Sequence, residues 1–172
     1  VLSIRRPKNP DPRDRRFTKE ELNKILTCNR TSPHMKFIIE LALETGMRRS
    51  EIANVKSEHI KGNTLKIVQA KVKPRTIPLT PRAGELLKYN MPIKMSSNAI
   101  HLSWVRICKR HSIEDARFHD LRHEALSRMF EVKSLNVPEV QLISGHLEPR
   151  TLMRVYANLR PKDLADKLAK ME

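Results

Sequence analysis

A chain of 172 residues with 39% hydrophobic content is long enough to close one core, and nothing in that length demands a second domain. Lys and Arg number 34 against 19 Asp and Glu, a net charge of +15 that points to a nucleic-acid partner. The basic residues are spread along the chain instead of gathered on one amphipathic segment, and no apolar run reaches transmembrane length, which argues against a membrane. Two distant cysteines, Cys28 and Cys108, lack C-x-x-C spacing; they exclude a disulfide framework and a thiolate zinc site and predict reduced thiols in a cytoplasmic protein.

In chain order, residues 1–16 carry Arg5, Arg6, Lys8, Arg13, Arg15 and Arg16 among prolines, the composition of a basic linker or arm. The abrupt start without Met suggests a piece of a longer protein. Thr18 and Glu21 have capping-box spacing, and Leu22, Ile25 and Leu26 form a helical stripe behind them. A second helix is expected from Pro33 to about Gly46, and Arg48 to Val55 restarts helically after that glycine. Lys61 to Thr80 changes period. Leu65, Ile67 and Val68 follow a Lys61-Gly62-Asn63 turn, Ile77 and Leu79 follow Lys73-Pro74-Arg75, and the alternation predicts a small antiparallel sheet or hairpin. Helices are predicted again at 82–90, 97–111, 119–132, 138–144, 149–158 and 161–171, with Ser97 and Asn98 as candidate caps. The expected fold is mainly α with a small antiparallel β-sheet (α+β).

Three segments place charged residues where apolar ones would serve a helix boundary better: Thr45-Gly46-Met47-Arg48-Arg49-Ser50-Glu51, His119-Asp120-Leu121-Arg122-His123, and Gly145-His146 followed by Tyr156. Two arginines and two histidines suit a phosphodiester. A guanidinium pairs two phosphate oxygens at any working pH, and it favours a phosphorane whose equatorial charge has grown. Imidazole can donate to a non-bridging oxygen or move a proton near neutrality, and a tyrosine hydroxyl can attack phosphorus. Singly, each residue has an ordinary reading: Arg48 as a solvated charge, His119 and Arg122 as a surface pair one turn apart, His146 as a helix-start residue, Tyr156 as half-buried packing, Lys71 as a solvent-facing lysine.

Their order together resembles the tyrosine recombinase family, which holds phage integrases, Xer-type recombinases and integron integrases. T-G-x-R, a lysine on a β-hairpin, H-x-x-R, G-H and a tyrosine follow one another from Thr45 to Tyr156, and the resemblance spans about Thr18 to Lys170. The resemblance implies that residues 17–172 are a catalytic domain, and that residues 1–16 are the remnant of a connection to an N-terminal DNA-binding domain. It implies that Arg48 and Arg122 clamp the scissile phosphate and that His119 and His146 hydrogen-bond it. Lys71 would be general acid for the leaving 5′-oxygen, Tyr156 would form a 3′-phosphotyrosyl link, and Glu51 would support Arg48. The hairpin is slightly shorter than the family pattern, so Lys73 stands as the alternative to Lys71, and the His146-to-Tyr156 interval is on the long side. No metal and no cofactor are implied. The expected partners are double-stranded DNA and a homo-tetramer assembled on it from a protein monomeric in isolation, with room for accessory DNA-bending proteins. Integration by a prophage or similar mobile element is the expected outcome.

Rivals of other classes are a type IB topoisomerase, a non-catalytic basic DNA-binding module, a helix-turn-helix repressor and a zinc hydrolase. The zinc reading rests on His119 and His123 at helical spacing, but Arg122 sets a fixed cation between them. A decayed binding module would have lost at least one of the six reactive positions, and all six are present. The last helix, with Leu164 and Leu168 on one face, can dock on its own domain or on a neighbouring subunit.

Overall fold

The computed structural model describes residues 15–70, 73–157, Ala165 and Ala169. Capping chemistry sets the first helices. Thr18 accepts from the Glu21 N–H while Glu21 accepts from the Thr18 N–H, and this reciprocal pair opens α1 (Lys19–Thr27). Ser32 and Pro33 start α2 (Pro33–Thr45), whose apolar residues are buried on most sides, as befits a central helix. The short α3 (Arg49–Ala53) and a single 3₁₀ turn (Ser57–His59) lead into the sheet.

Strands β1 (Ile60–Lys61), β2 (Thr64–Ile67) and β3 (Arg75–Pro78) form an antiparallel sheet in chain order, with Leu65 opposite Ile77 and Ile67 opposite Arg75. Leu65, Ile67 and Ile77 face the core, and the intervening residues face solvent. Among the described residues the helices α4 (Pro81–Asn90), α5 (Ser97–Arg110), α6 (Asp120–Glu131), α7 (Val137–Ser144) and α8 (Pro149–Ala157) follow. The mainly helical expectation and the small sheet both hold. The cap of α5 is Ser96, not Ser97 or Asn98, because the Ser96 hydroxyl accepts from the Ala99 N–H. Of the expected last helix only Ala165 and Ala169 are described; its docking lies outside the described residues.

Helix α6 packs on α2, α7 and α8, and it carries the central charged motif into the interior. Its approach is braced by aromatic rings: Trp104 meets Phe17 and Phe118 edge to face at 5.8 and 5.7 Å, and its indole N–H donates to the Ala116 carbonyl. Arg15 and Arg16, at the end of the expected arm, already pair with the domain. Arg15 meets Glu21, and Arg16 meets Glu124 and Glu131 of α6. Both cysteines are free thiols, and burial pushes the Cys108 thiol up to about 11. Among the described residues no helix is long and apolar enough to cross a membrane.

Candidate active site

Four chain segments meet at one place, and each arrives there for a local reason. At the end of α2 the buried Thr45 hydroxyl donates to Leu41 O and accepts from the Met47 N–H. Gly46 turns the chain in the left-handed region (φ 63°), and a Cβ there would stand 3.2 Å from Leu126 of α6. Met47 plugs into the core, which swings Arg48 out at the N-cap of α3. The motif around Arg48 is thus a helix stop, a tight helix-on-helix approach, an anchor and a charge.

Arg122 comes from α6 and is almost fully buried at 2% exposure. One terminal nitrogen donates to Gly46 O at 2.6 Å and the other to Ser144 O at 2.7 Å. These are end-of-helix carbonyls of α2 and α7, unpartnered within their own helices and at the negative pole of the dipole, so a cation is favoured there. Arg122 therefore ties three helices together. Burial and the nearby Arg48 push its pKa down to about 9, which leaves it cationic at neutral pH.

His146 follows α7 by two residues. Gly145 is the left-handed C-cap (φ 67°), so His146 belongs to the turn after a helix and not to a helix start. Its Nε2 lies 3.3 Å from Arg122 and its Nδ1 lies 2.9 Å from the Ser144 hydroxyl. A guanidinium can only donate, so Nε2 accepts and Nδ1 carries the proton. Burial, then Arg122 and Arg48, lower the His146 pKa to about 4 in agreement with that neutral tautomer. His119 sits at the N-cap of α6 with its ring 5.0 Å from that of His123 and nearly perpendicular to it. Partial burial, then His123 and Arg122, lower its pKa to about 4 as well. His119 is exposed, whereas His146 is half-buried.

Glu51 is fully buried beneath this cluster. It accepts from the Arg48 backbone N–H at 2.9 Å and from the Arg48 guanidinium at 3.0 Å, and from both terminal nitrogens of Arg75 at 2.9 and 3.0 Å. Burial alone would raise its pKa; the bonds from Arg75 and Arg48 outweigh that and hold it below the usual carboxylate range. Sequence reasoning anticipated the support of Arg48 by Glu51 and overlooked Arg75. The signal was present, since Arg75 lies two residues before the buried Ile77 and strand alternation puts both on one face.

Lys71 lies outside the described residues, and Lys73 is exposed in the loop between β2 and β3. Tyr156 lies on α8, which packs against α6 and α7; its side chain is outside the described part. Beside Arg48, a cleft of about 370 Å³ is lined by Arg49, Ser97, His101, Arg117, Phe118 and His119, and the Ser97 hydroxyl accepts from Arg49 Nε at 2.9 Å. The arrangement is a basic floor with buried arginines and neutral histidines, suited to a phosphate at Arg48 and a charged strand running past it.

Residues 15–163 match the model of the phage integrase family. The chain belongs to that family. Two relatives bear this out: a shufflon-specific DNA recombinase of Escherichia coli is 39% identical over 98% of this chain and 46% of its own length. The integrase of Escherichia phage P2 is 28% identical over 98% and 50%. The chain thus spans about half the length of these relatives. Among solved structures, the XerA recombinase superposes with a TM-score of 0.73 at 17% identity, covering 96% of this chain and 66% of that one. A lambda integrase dimer bound to a COC′ core site superposes at 0.68 with 22% identity, covering 81% and 58%. At these identities the structural likeness carries the fold: this is the catalytic-domain fold of the tyrosine recombinases.

Proposed function

We propose that this domain carries out site-specific DNA recombination by cutting and rejoining one strand at a time through Tyr156. The supporting observation is the convergence of Arg48, Arg122, His119 and His146, four motif residues from three separated segments, around one basic surface. In this reading Arg48 and Arg122 receive the non-bridging oxygens of the scissile phosphate. The Tyr156 oxygen attacks phosphorus, the bond to the 5′-oxygen breaks, and the tyrosine proton passes to the surroundings. Lys71, or its alternative Lys73, supplies a proton to the departing 5′-oxygen. A different 5′-hydroxyl then reverses the steps, and the phosphodiester energy is kept in the phosphotyrosyl link throughout.

The histidines enter by electrostatics. As it stands, His146 Nε2 accepts from Arg122 and has no proton to give. A phosphate arriving beside Arg122 brings the negative charge that favours imidazolium, so the same nitrogen becomes a donor when substrate binds. That coupling makes the histidine an acid that switches on with the substrate.

Double-stranded DNA is the substrate in this reading. Exchange between two duplexes needs four such sites, so a homo-tetramer on DNA is the working assembly, acting at the nucleoid, with accessory bending proteins as helpers. The test is covalent trapping on nicked duplex carrying the cognate site. A protein–DNA adduct that resists denaturation, persists with chelator and disappears in Tyr156→Phe supports the reading. Site-specific binding with no adduct would make the chain a binding module.

A further inference from the structure

Glu51 is one buried carboxylate between two guanidiniums. Arg48 offers it one side-chain bond, whereas Arg75 offers two, in a parallel bidentate arrangement. Arg75 makes a third bond from Nε to Ile143 O at 2.8 Å. The side chain also lies flat on Gly145, where an added Cβ would sit 2.9 Å from its Cδ and Nε. A single arginine on β3 therefore touches the supports of both halves of the site: Glu51 under Arg48, and the Gly145 turn that aims His146.

We propose that Arg75 is a positioning residue that engages the Glu51 carboxylate and so keeps Arg48 cationic in effect and available to phosphate. The proposal rests on the recombinase reading above. The charge count carries it. Arg48, Arg75 and Glu51 sum to +1. Without Arg75, Glu51 turns both oxygens to Arg48, the only remaining arginine of the trio, and the sum falls to zero where an anion must bind. A brace needed only for folding would be satisfied by the Ile143 bond and the packing on Gly145. The second guanidinium on a carboxylate that Arg48 could saturate by itself is explained by charge.

The consequence is a rescue that a purely structural role does not allow. Arg75→Ala is expected to slow single-turnover cleavage of nicked duplex at saturating protein by about 100-fold, the size of losing one preorganised electrostatic contact. DNA affinity should stay near wild type, because Arg75 is enclosed and the outer basic residues are untouched. In the double variant Arg75→Ala/Glu51→Gln, the carboxylate that captures Arg48 is gone and the sum returns to +1. Cleavage should then recover about 10-fold or more over Arg75→Ala. Arg75→Gln, which keeps a donor for the Ile143 carbonyl, is carried through the same cycle in case alanine does not fold, with thermal melting followed for every variant.

Recovery in either cycle, without a matching recovery in melting temperature, supports the proposal. Near-wild-type cleavage by Arg75→Ala overturns it. So does a double variant no faster than its parent, or an Arg75→Gln that does not fold. A wild-type protein that forms no adduct strikes the recombinase reading itself, whereas an active wild type with no recovery strikes only the role of Arg75.

Discussion

Two buried arginine–glutamate clusters flank helix α6, and they differ in stoichiometry. On one side Arg16 and Arg128 meet Glu124 and Glu131: Arg16 bonds both carboxylates, and Arg128 bonds Glu124 at 2.8 Å. Among the described residues each of these two carboxylates has its own arginine partner. Bonds from Arg16 and Arg128 overcome burial and hold Glu124 below the usual carboxylate range. On the other side Arg48 and Arg75 share the single carboxylate of Glu51, with Arg122 close by. That cluster keeps unspent positive charge in a partly dry place. A fold minimising its own free energy closes such a cluster; one poised for an external anion leaves it open. The difference separates a clasp that holds the chain entry to α6 from a cluster that carries a net positive charge, as the proposed function requires of a phosphate site.

Substitutions can break this contrast from either side. The largest effect is expected from Arg16→Ala, which removes the cation shared by the buried Glu124 and Glu131 and should cost about 3 kcal/mol of stability in urea melts. The cleavage rate per folded molecule should change far less; a rate loss without a stability loss would erase the distinction. Arg48→Ala is the mirror image. Cleavage should fall by about 100- to 1000-fold, while the melting temperature stays close to wild type because Glu51 retains its bidentate partner Arg75.

Acid should reveal the open side earlier than the closed one. His146 has its folded pKa depressed to about 4 from an ordinary 6.5, so the unfolded chain takes up protons first. Its stabilising share is complete above about pH 6.5 and is lost as pH falls toward 4, on the order of 2 kcal/mol. Glu51 and Glu124, also depressed, add their losses as pH falls from the ordinary carboxylate range toward their lower folded values. Urea melts between pH 7 and 4.5 should therefore decline in wild type and stay flatter in His146→Asn. Gly145→Ala forces a side chain into the left-handed region and against Arg75, and about 1–2 kcal/mol of destabilisation is expected by thermal melting. Smallest are the rim charges of the cleft. Arg117→Ala should weaken DNA binding modestly and reduce the slope of log affinity against log salt by about 1.

Much of this architecture was legible in local chemistry. Thr18 and Glu21 announce α1, the prolines at 33, 81 and 149 mark helix starts, and alternation around Leu65, Ile67 and Ile77 marks the sheet. Each is a short-range device whose partners lie within a few residues. The Arg48, His119, Arg122 and His146 set was legible by the order of motifs that resembles the tyrosine recombinases, and the support of Arg48 by Glu51 was implied by the same resemblance. Arg75 was not singled out because its partners, Glu51 and Ile143, are 24 and 68 residues away. The expected helices at 138–144 and 149–158 leave His146 in the turn between them, and the left-handed Gly145 that closes the α7 carbonyls fixes it there.

From local rules alone follow the helices, the hairpin, the strongly basic character and the inventory of polar motif residues, because capping, periodicity and net charge act over a turn or over the whole surface. Tertiary structure alone decides how those side chains are charged and aimed. Burial shifts the histidines toward neutrality, helix ends from α2 and α7 orient Arg122, and a strand arginine sets the balance at Glu51. Those properties depend on which distant groups share a desolvated space, and no short window of sequence contains them.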